Sequence, residues 1–280
     1  MPDHTMPDHT MPATTRLAER YRMAAPTTAV WNETLDLLLQ HRSVRAYKTD
    51  PLPPGTLESL IAAAQSAATS SNLQTWSVLA VEDAGRRARL AGFANNQQHI
   101  AQAPLFLVWL ADLSRTQRLG ERLGRSMEAV PFLESFLVAV IDSALAAQNA
   151  VVAAESLGLG TVYIGAIRNN PESVAQELGL PKNVVATVGL CVGYPDPSQP
   201  ASVKPRLPQS VVLHREQYGA SAEADDIAAY DDTLRSFQAG QAMPQQGWQD
   251  LVANRLSAVR GLHGRDRLRE ALTRLGFGLR

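Results

Sequence analysis

From residue 132 to residue 157 the chain runs through Ala, Leu and Val, interrupted only by a few polar positions: Glu134, Asp142, Asn149 and Glu155 stand out. A stretch this long and this apolar has two homes, a bilayer or the inside of a fold. The interruptions favour the inside, because a carboxylate in hydrocarbon is costly. The spacing predicts a buried helix, apolar nearly all round, with Gly158 as its C-cap. The rest of the fold has to be built around it.

Residues 105–110 are continuously apolar, as in a central strand covered on both faces. Residues 76–81, 161–164 and 184–192 read as further strands, the last ended by Gly193-Tyr194-Pro195. Helices are predicted over 33–40, where Leu35, Leu38 and Leu39 form one stripe, over 57–64 behind Pro54-Gly55, near 86–94, after Asn170-Pro171, and from about 223 onward. Strands and helices mix without strict alternation, and no Gly-rich strand-to-helix turn of the dinucleotide type is present. The expected class is therefore α+β and layered rather than Rossmann.

The 280 residues are 45 % hydrophobic and 19 % charged, which suits a globular chain with a sizeable core. Lys and Arg number 26 against 27 Asp and Glu, so no net field draws the chain to nucleic acid or an anionic membrane. The single cysteine, Cys191, excludes an internal disulfide and a multi-cysteine metal cluster, and it fits a reducing cytoplasm. At the start, Met1-Pro2-Asp3-His4-Thr5 is repeated as Met6-Pro7-Asp8-His9-Thr10 and followed by Met11-Pro12. This polar repeat is not a secretory signal, reads as a disordered tail, and leaves the starting methionine open among Met1, Met6 and Met11. The expected organisation is a disordered tail over 1–30, a core over 31–222 and a helical extension over 223–280.

Against this neutral background two basic clusters stand out. His41-Arg42-Ser43-Val44-Arg45 follows a leucine-rich helix. Cations at a helix C-terminus gain about 0.3–1 kcal/mol from the dipole alone, so a purely structural role suffices; equally, arginine forks and a serine hydroxyl suit a phosphate. Lys204-Pro205-Arg206-Leu207-Pro208 holds two cations on a proline-stiffened segment, as an ordinary solvated loop or as a second grip on the same anion. The strand at 161–164 closes on Gly165-Ala166, small residues that either make a tight turn or admit a flat ligand to the backbone. Gln97, in an amide-rich patch, is a surface residue or reads the edge of a heterocycle.

Other chemistries lack their motifs. There is no Gly-x-Ser-x-Gly elbow, no His-Glu-x-x-His and no Walker loop. Asp142 and Glu155 have no helical-turn partner for a metal, and Cys191 inside an apolar strand reads as an inert thiol. The absence of an acid–base dyad fits a cofactor that carries the chemistry.

Taken in order, several segments resemble the nitroreductase family: His41-Arg42-Ser43-x-Arg45, Thr69-Ser70-Ser71 with Leu73-Gln74, Gln97-x-His99, Ala147-Gln148-Asn149, the run 155–160, Tyr163-Ile164-Gly165, Arg168-Asn169-Asn170 and the run 204–208. The resemblance spans 33–280, and its branch resembles the major oxygen-insensitive NADPH nitroreductases and flavin reductase P. It implies a nitroreductase-like, FMN-dependent layered fold, with a mixed central sheet wrapped by helices and an intertwined homodimer. It implies non-covalent FMN, with NAD(P)H as electron donor. His41, Arg42, Ser43, Lys204 and Arg206 would hold the FMN phosphate. Arg45 would stand near N1 and O2 of the ring, Gln97 at the pyrimidine edge, and the backbone of Ile164, Gly165 and Ala166 at N5 and O4, with Tyr163 a further cofactor-binding residue. Thr69, Ser70 and Ser71 would come from the other subunit. No side chain is assigned as catalytic; a ping-pong exchange of two electrons through flavin N5 would reduce nitroaromatics, quinones or flavins. Arg168 and Arg265 are the substrate-side candidates. A flavin reductase supplying free reduced FMN, an FMN sensor without turnover and, last, a non-flavin anion-binding module are the alternative functions; neither nucleic acid nor membrane is an expected partner.

Three departures from the family pattern carry expectations. Residues 239–247, before Trp248, lack the arginines with which NADPH-specific members grip the 2′-phosphate. Each missing charge-assisted contact is worth roughly 1.5–3 kcal/mol, so a weaker NADPH preference is expected. Ala166 stands where relatives have glycine, and Asn72 where they often have phenylalanine.

Overall fold

The computed structural model describes residues 12–23, 30–220 and 223–280; the histidine-bearing N-terminal repeat lies outside them. The chain divides into two compact units, one of Met1–Arg42 with Ser202–Leu262, the other of Ser43–Ala201 with His263–Arg280. The break expected at 222/223 thus falls inside the first unit.

The second unit contains the sheet. Its strands are β1 (Trp76–Ala80), β2 (Leu105–Asp112), β3 (Gly160–Ile164) and β4 (Val184–Gly193), in the order β1-β2-β4-β3. All three pairings are antiparallel. A mixed sheet was expected; parallel pairing among the described residues is confined to an isolated bridge between Ser43 and Thr161. β2 is buried along its whole length, as its unbroken apolar run predicted. Phe106, Val108 and Leu110 face one core with Ile164, Ile167 and Cys191, while Leu107 and Trp109 face another with Ala146, Ala150 and Val151.

Those alanines belong to the helix Leu133–Ser156. It is long and apolar enough to cross a membrane by length and composition, yet one of its faces packs on the sheet. The expectation of burial all round fails on the other face. Leu133, Leu137, Ile141 and Leu145 recur every fourth residue, on one stripe of the helix, and are 42–53 % exposed. The helix ends where expected: Gly158 takes φ 74, its N–H reaches Glu155 O and that of Leu159 reaches Ala154 O. This double closure satisfies carbonyls the helix would otherwise leave open, and the left-handed turn suits a residue without Cβ.

The first unit is helical: Ala13–Tyr21, Glu33–Leu39, Gln209–Val212, Glu223–Gly240 and Trp248–Leu256. The helix Ala13–Tyr21 lies in the stretch expected to be disordered. Its arginines explain why it is held: Arg16 Nε donates to the carboxylate of Asp36 at 2.8 Å, and Arg20 is buried. Asp36, 1 % exposed, is thus the buried residue of Glu33–Leu39, whereas Leu38 of the predicted apolar stripe is 41 % exposed.

Candidate functional site

In the first unit, the two basic clusters meet on one guanidinium. Arg20 donates through Nε and Nη2 to Leu39 O (3.2 and 2.7 Å), through Nη2 to His41 O (2.6 Å) and through Nη1 to Lys204 O (2.9 Å). His41-Arg42 and Lys204-Pro205-Arg206, far apart in sequence, are therefore neighbours in space. Arg206 Nη1 reaches back to the same Lys204 O at 3.2 Å, and Arg42 Nη1 to Gln40 O at 3.4 Å. Tyr230, buried, donates to Pro205 O at 3.0 Å. Burial raises its phenol, while the charge of Arg206 pulls it back and that of Asp231 adds to the rise.

In the second unit, the segment after Arg42 runs along the outer edge of β3. Val44 N–H donates to Thr161 O at 2.8 Å and Lys48 N–H to Tyr194 O at 2.9 Å. Strand-like alternation buries Val44 and leaves Ser43 and Arg45 exposed. The approach depends on Gly160, where an added Cβ would stand 2.7 Å from Val44 Cγ2. Arg45 lies close enough to His99 to act on its imidazole, whose pKa is lowered first by burial and then by that charge. His99 Nε2 is buried with no hydrogen-bond partner among the described residues, and Gln97, half-buried, stands at the N-cap position of the same short helix, Gln98–Gln102, with no side-chain capping bond.

β3 leads into a 3-10 turn, Gly165–Arg168. Arg168 donates to Thr187 O, and burial lowers its pKa. Ile164 is buried, and Ala166 packs against the core beside it, so the methyl that replaces glycine has a place inside. Tyr163 stands at the surface with its hydroxyl 3.5 Å from Gln148 Oε1. Tyr163, Gly165, Arg168 and Thr187 line a cavity of about 660 Å³ whose apolar wall includes Phe136, Val140, Leu268 and Leu272. Such a slot, apolar with few polar groups, suits a flat organic molecule. Arg265 is half-buried in the turn Arg265–Arg267. That turn follows Gly264, where an added Cβ would stand 3.3 Å from Asn169 O, beside the Arg168 turn.

Thr69, Ser70 and Ser71 lie on a polar loop held against the middle of the long helix. Ser71, Asn72 and Gln74 all take positive φ. Asparagine tolerates that conformation better than a bulky aromatic, and Asn72 Oδ1 also accepts Gln74 Nε2 at 3.1 Å. Asp142 holds the loop: its carboxylate accepts Ser70 N–H (3.0 Å) and both the N–H and hydroxyl of Thr75 (3.3 Å each).

A model of the nitroreductase family matches residues 38–194, and one of the family's C-terminal domain matches 204–280. The chain belongs to the nitroreductase family. It is similar to the NADPH-flavin oxidoreductase of Vibrio harveyi, 38 % identical over 228 residues, 81 % of this chain and 92 % of the relative. It is 39 % identical over 227 residues to the oxygen-insensitive NADPH nitroreductase of Salmonella typhimurium, covering 80 % of this chain and 90 % of the relative. Among solved structures, the NADPH:FMN oxidoreductase from Vibrio harveyi complexed with NAD+ superposes with a TM-score of 0.78 at 35 % identity, covering 89 % of this chain and all of the other. The α+β layered fold is that of this nitroreductase family.

Two positioning residues escaped the sequence. Asp142 enters the sequence reading as an interruption of the apolar helix and as a metal ligand without a partner, although a lone carboxylate on the buried face of an apolar helix signals a need for donors. Arg20 lies in the stretch expected to be a tail, and nothing local to it marks its partners, 19 to 184 residues away.

Proposed function

We propose that this nitroreductase-family chain is an FMN-dependent NAD(P)H oxidoreductase that acts as a cytoplasmic homodimer and reduces nitroaromatics, quinones or flavins. The observation that carries it is the convergence of His41-Arg42 and Lys204-Arg206 on Arg20, which assembles cations in an otherwise charge-balanced chain. FMN, when bound, supplies two-electron hydride transfer at N5 from the nicotinamide to the acceptor.

The residues fit that group. His41, Arg42, Ser43, Lys204 and Arg206 offer forks, an ammonium and a hydroxyl to its phosphate. Arg45 brings positive charge to the ring edge that becomes electron-rich on reduction, and Gln97 offers an amide there. Gly165 and Ala166, which open the turn Gly165–Arg168, offer backbone N–H groups and little side-chain bulk. The cavity beside Tyr163 serves the acceptor or nicotinamide, with Arg168 on its wall as its cation and Arg265, in the turn before Leu268, as the second candidate. The exposed stripe Leu133, Leu137, Ile141 and Leu145 supports a second copy as its cover, and Thr69, Ser70 and Ser71 reach the partner's flavin. The lone buried Cys191 suits a reducing compartment.

For the nicotinamide, weak discrimination against NADH follows from the first unit. Residues 239–247 carry no cation. Arg235 lies against this segment, but Asp232 (3.1 Å), Asp231 (3.7 Å) and Asp250 (3.8 Å) surround its guanidinium.

The test is an anaerobic titration of the purified protein with NADH and NADPH, followed by flavin absorbance. Bleaching by the nicotinamide and recovery on adding nitrofurazone or a quinone is the expected result. A protein that retains no FMN, or a flavin that neither nicotinamide bleaches, overturns the reading.

A further inference from the structure

We infer that Arg20 is a positioning residue for the anion cradle: a buried strut, contributed by the N-terminal helix Ala13–Tyr21, that fixes the spacing of His41-Arg42 against Lys204-Arg206 before any anion binds. This rests on the assignment of those segments to the FMN phosphate. The family match begins at residue 38, so the strut comes from sequence before it.

The geometry is specific to a guanidinium. Its planar fork presents N–H groups in fixed directions, and three carbonyls lie along them: Leu39 O between Nε and Nη2, His41 O on Nη2, Lys204 O on Nη1. A lysine ammonium is a single point and cannot reproduce that span. Arg20 is 6 % exposed, so these bonds are shielded from exchange with water.

The carbonyls it holds belong to the residues that matter. In a trans peptide the C=O and the following N–H point in opposite directions. Gripping His41 O therefore aims Arg42 N–H away from the strut. Lys204 O takes Arg20 and Arg206 together, so the strut also reaches the backbone against which Arg206 folds. Arg42, Lys204 and Arg206 repel one another, and an untethered pair of segments would drift apart until an anion drew them in. Holding the backbone removes that ordering cost from binding. The helix is itself secured by Arg16 on Asp36, in the middle of the helix that leads into His41.

The experiment compares FMN with riboflavin, which lacks the phosphate, by flavin fluorescence quenching on the full-length apoprotein. In the parent, FMN is expected to bind far more tightly than riboflavin. Arg20→Ala is expected to weaken FMN by about tenfold or more while leaving riboflavin affinity unchanged, so the ratio between them falls. Arg20→Lys, which keeps the buried charge and guards against loss of folding, is expected to fall in between, with a thermal midpoint near the parent's. An unchanged ratio in a folded Arg20→Lys protein, or equal weakening of both flavins in either variant, overturns the strut. A parent that binds riboflavin as tightly as FMN overturns the phosphate assignment itself.

Discussion

The carboxylate of Asp142, 1 % exposed in the long helix, accepts the backbone N–H of Ser70 at 3.0 Å. With Thr75 on its other oxygen, one side chain fixes both ends of a loop in which Ser71, Asn72 and Gln74 adopt left-handed backbone. Asp142→Ala takes the acceptor from the buried amide of Thr75 and from the part-buried amide of Ser70. A loss of about 1–3 kcal/mol in unfolding free energy is expected, with faster amide exchange at Ser70 and Thr75. Unchanged exchange at both amides would remove the tether.

Arg45 and His99 share an electrostatic environment. Burial holds the imidazole below its ordinary value, and Arg45 adds to that. In Arg45→Ala the His99 pKa should rise part of the way toward about 6.5, followed by NMR titration of the ring protons. The same variant should bind FMN whose reduction potential is lower and whose reduction by NAD(P)H is slower. A His99 titration indifferent to the substitution separates the two residues.

Nicotinamide selectivity follows from the surroundings of Arg235. Because three carboxylates surround it and residues 239–247 carry no cation, kcat/KM for NADPH and NADH should lie within about tenfold of each other, a difference under roughly 1.4 kcal/mol. Selectivity for NADPH of a hundredfold or more would mean another cation grips the 2′-phosphate.

The stripe on the long helix makes a claim about assembly. Ile141, 53 % exposed, stands in its middle. In a two-fold dimer each substitution counts twice. In the proposed homodimer, Ile141→Glu should raise the dissociation constant by about a hundredfold or more, since two carboxylates would be desolvated in the interface, as read by light scattering across a dilution series. A variant that stays dimeric at the parent's concentrations would place the interface elsewhere.

Acid stability draws on Asp112. Burial tends to raise its pKa, but the hydroxyls of Ser114 and Ser77, the Arg115 N–H and the Arg115 charge outweigh that, and the net shift is downward. A carboxylate with a depressed folded pKa contributes stability above its unfolded value of about 3.9 and loses it as pH falls through the folded value. Asp112→Asn should therefore be less stable than the parent at pH 7, with the gap narrowing below about pH 4. A gap that stays constant down to pH 2 would show the carboxylate's charge to be irrelevant.

Sequence by itself located all four strands and the long helix to within a residue or two, because apolar runs and their glycine and proline stops are local properties. It also isolated the basic segments and the small-residue turn, since unusual composition is visible without a fold. What it missed depends on distance along the chain. The exposure of Leu137 and Ile141, the antiparallel pairing of every strand, the hold of Asp142 on Ser70 and the grip of Arg20 on Lys204 all join residues that periodicity treats as unrelated. An arginine in a polar N-terminal stretch looks the same whether water or three carbonyls surround it; only the tertiary structure decides which, because hydrogen bonds of this kind exist once the chain has closed on itself.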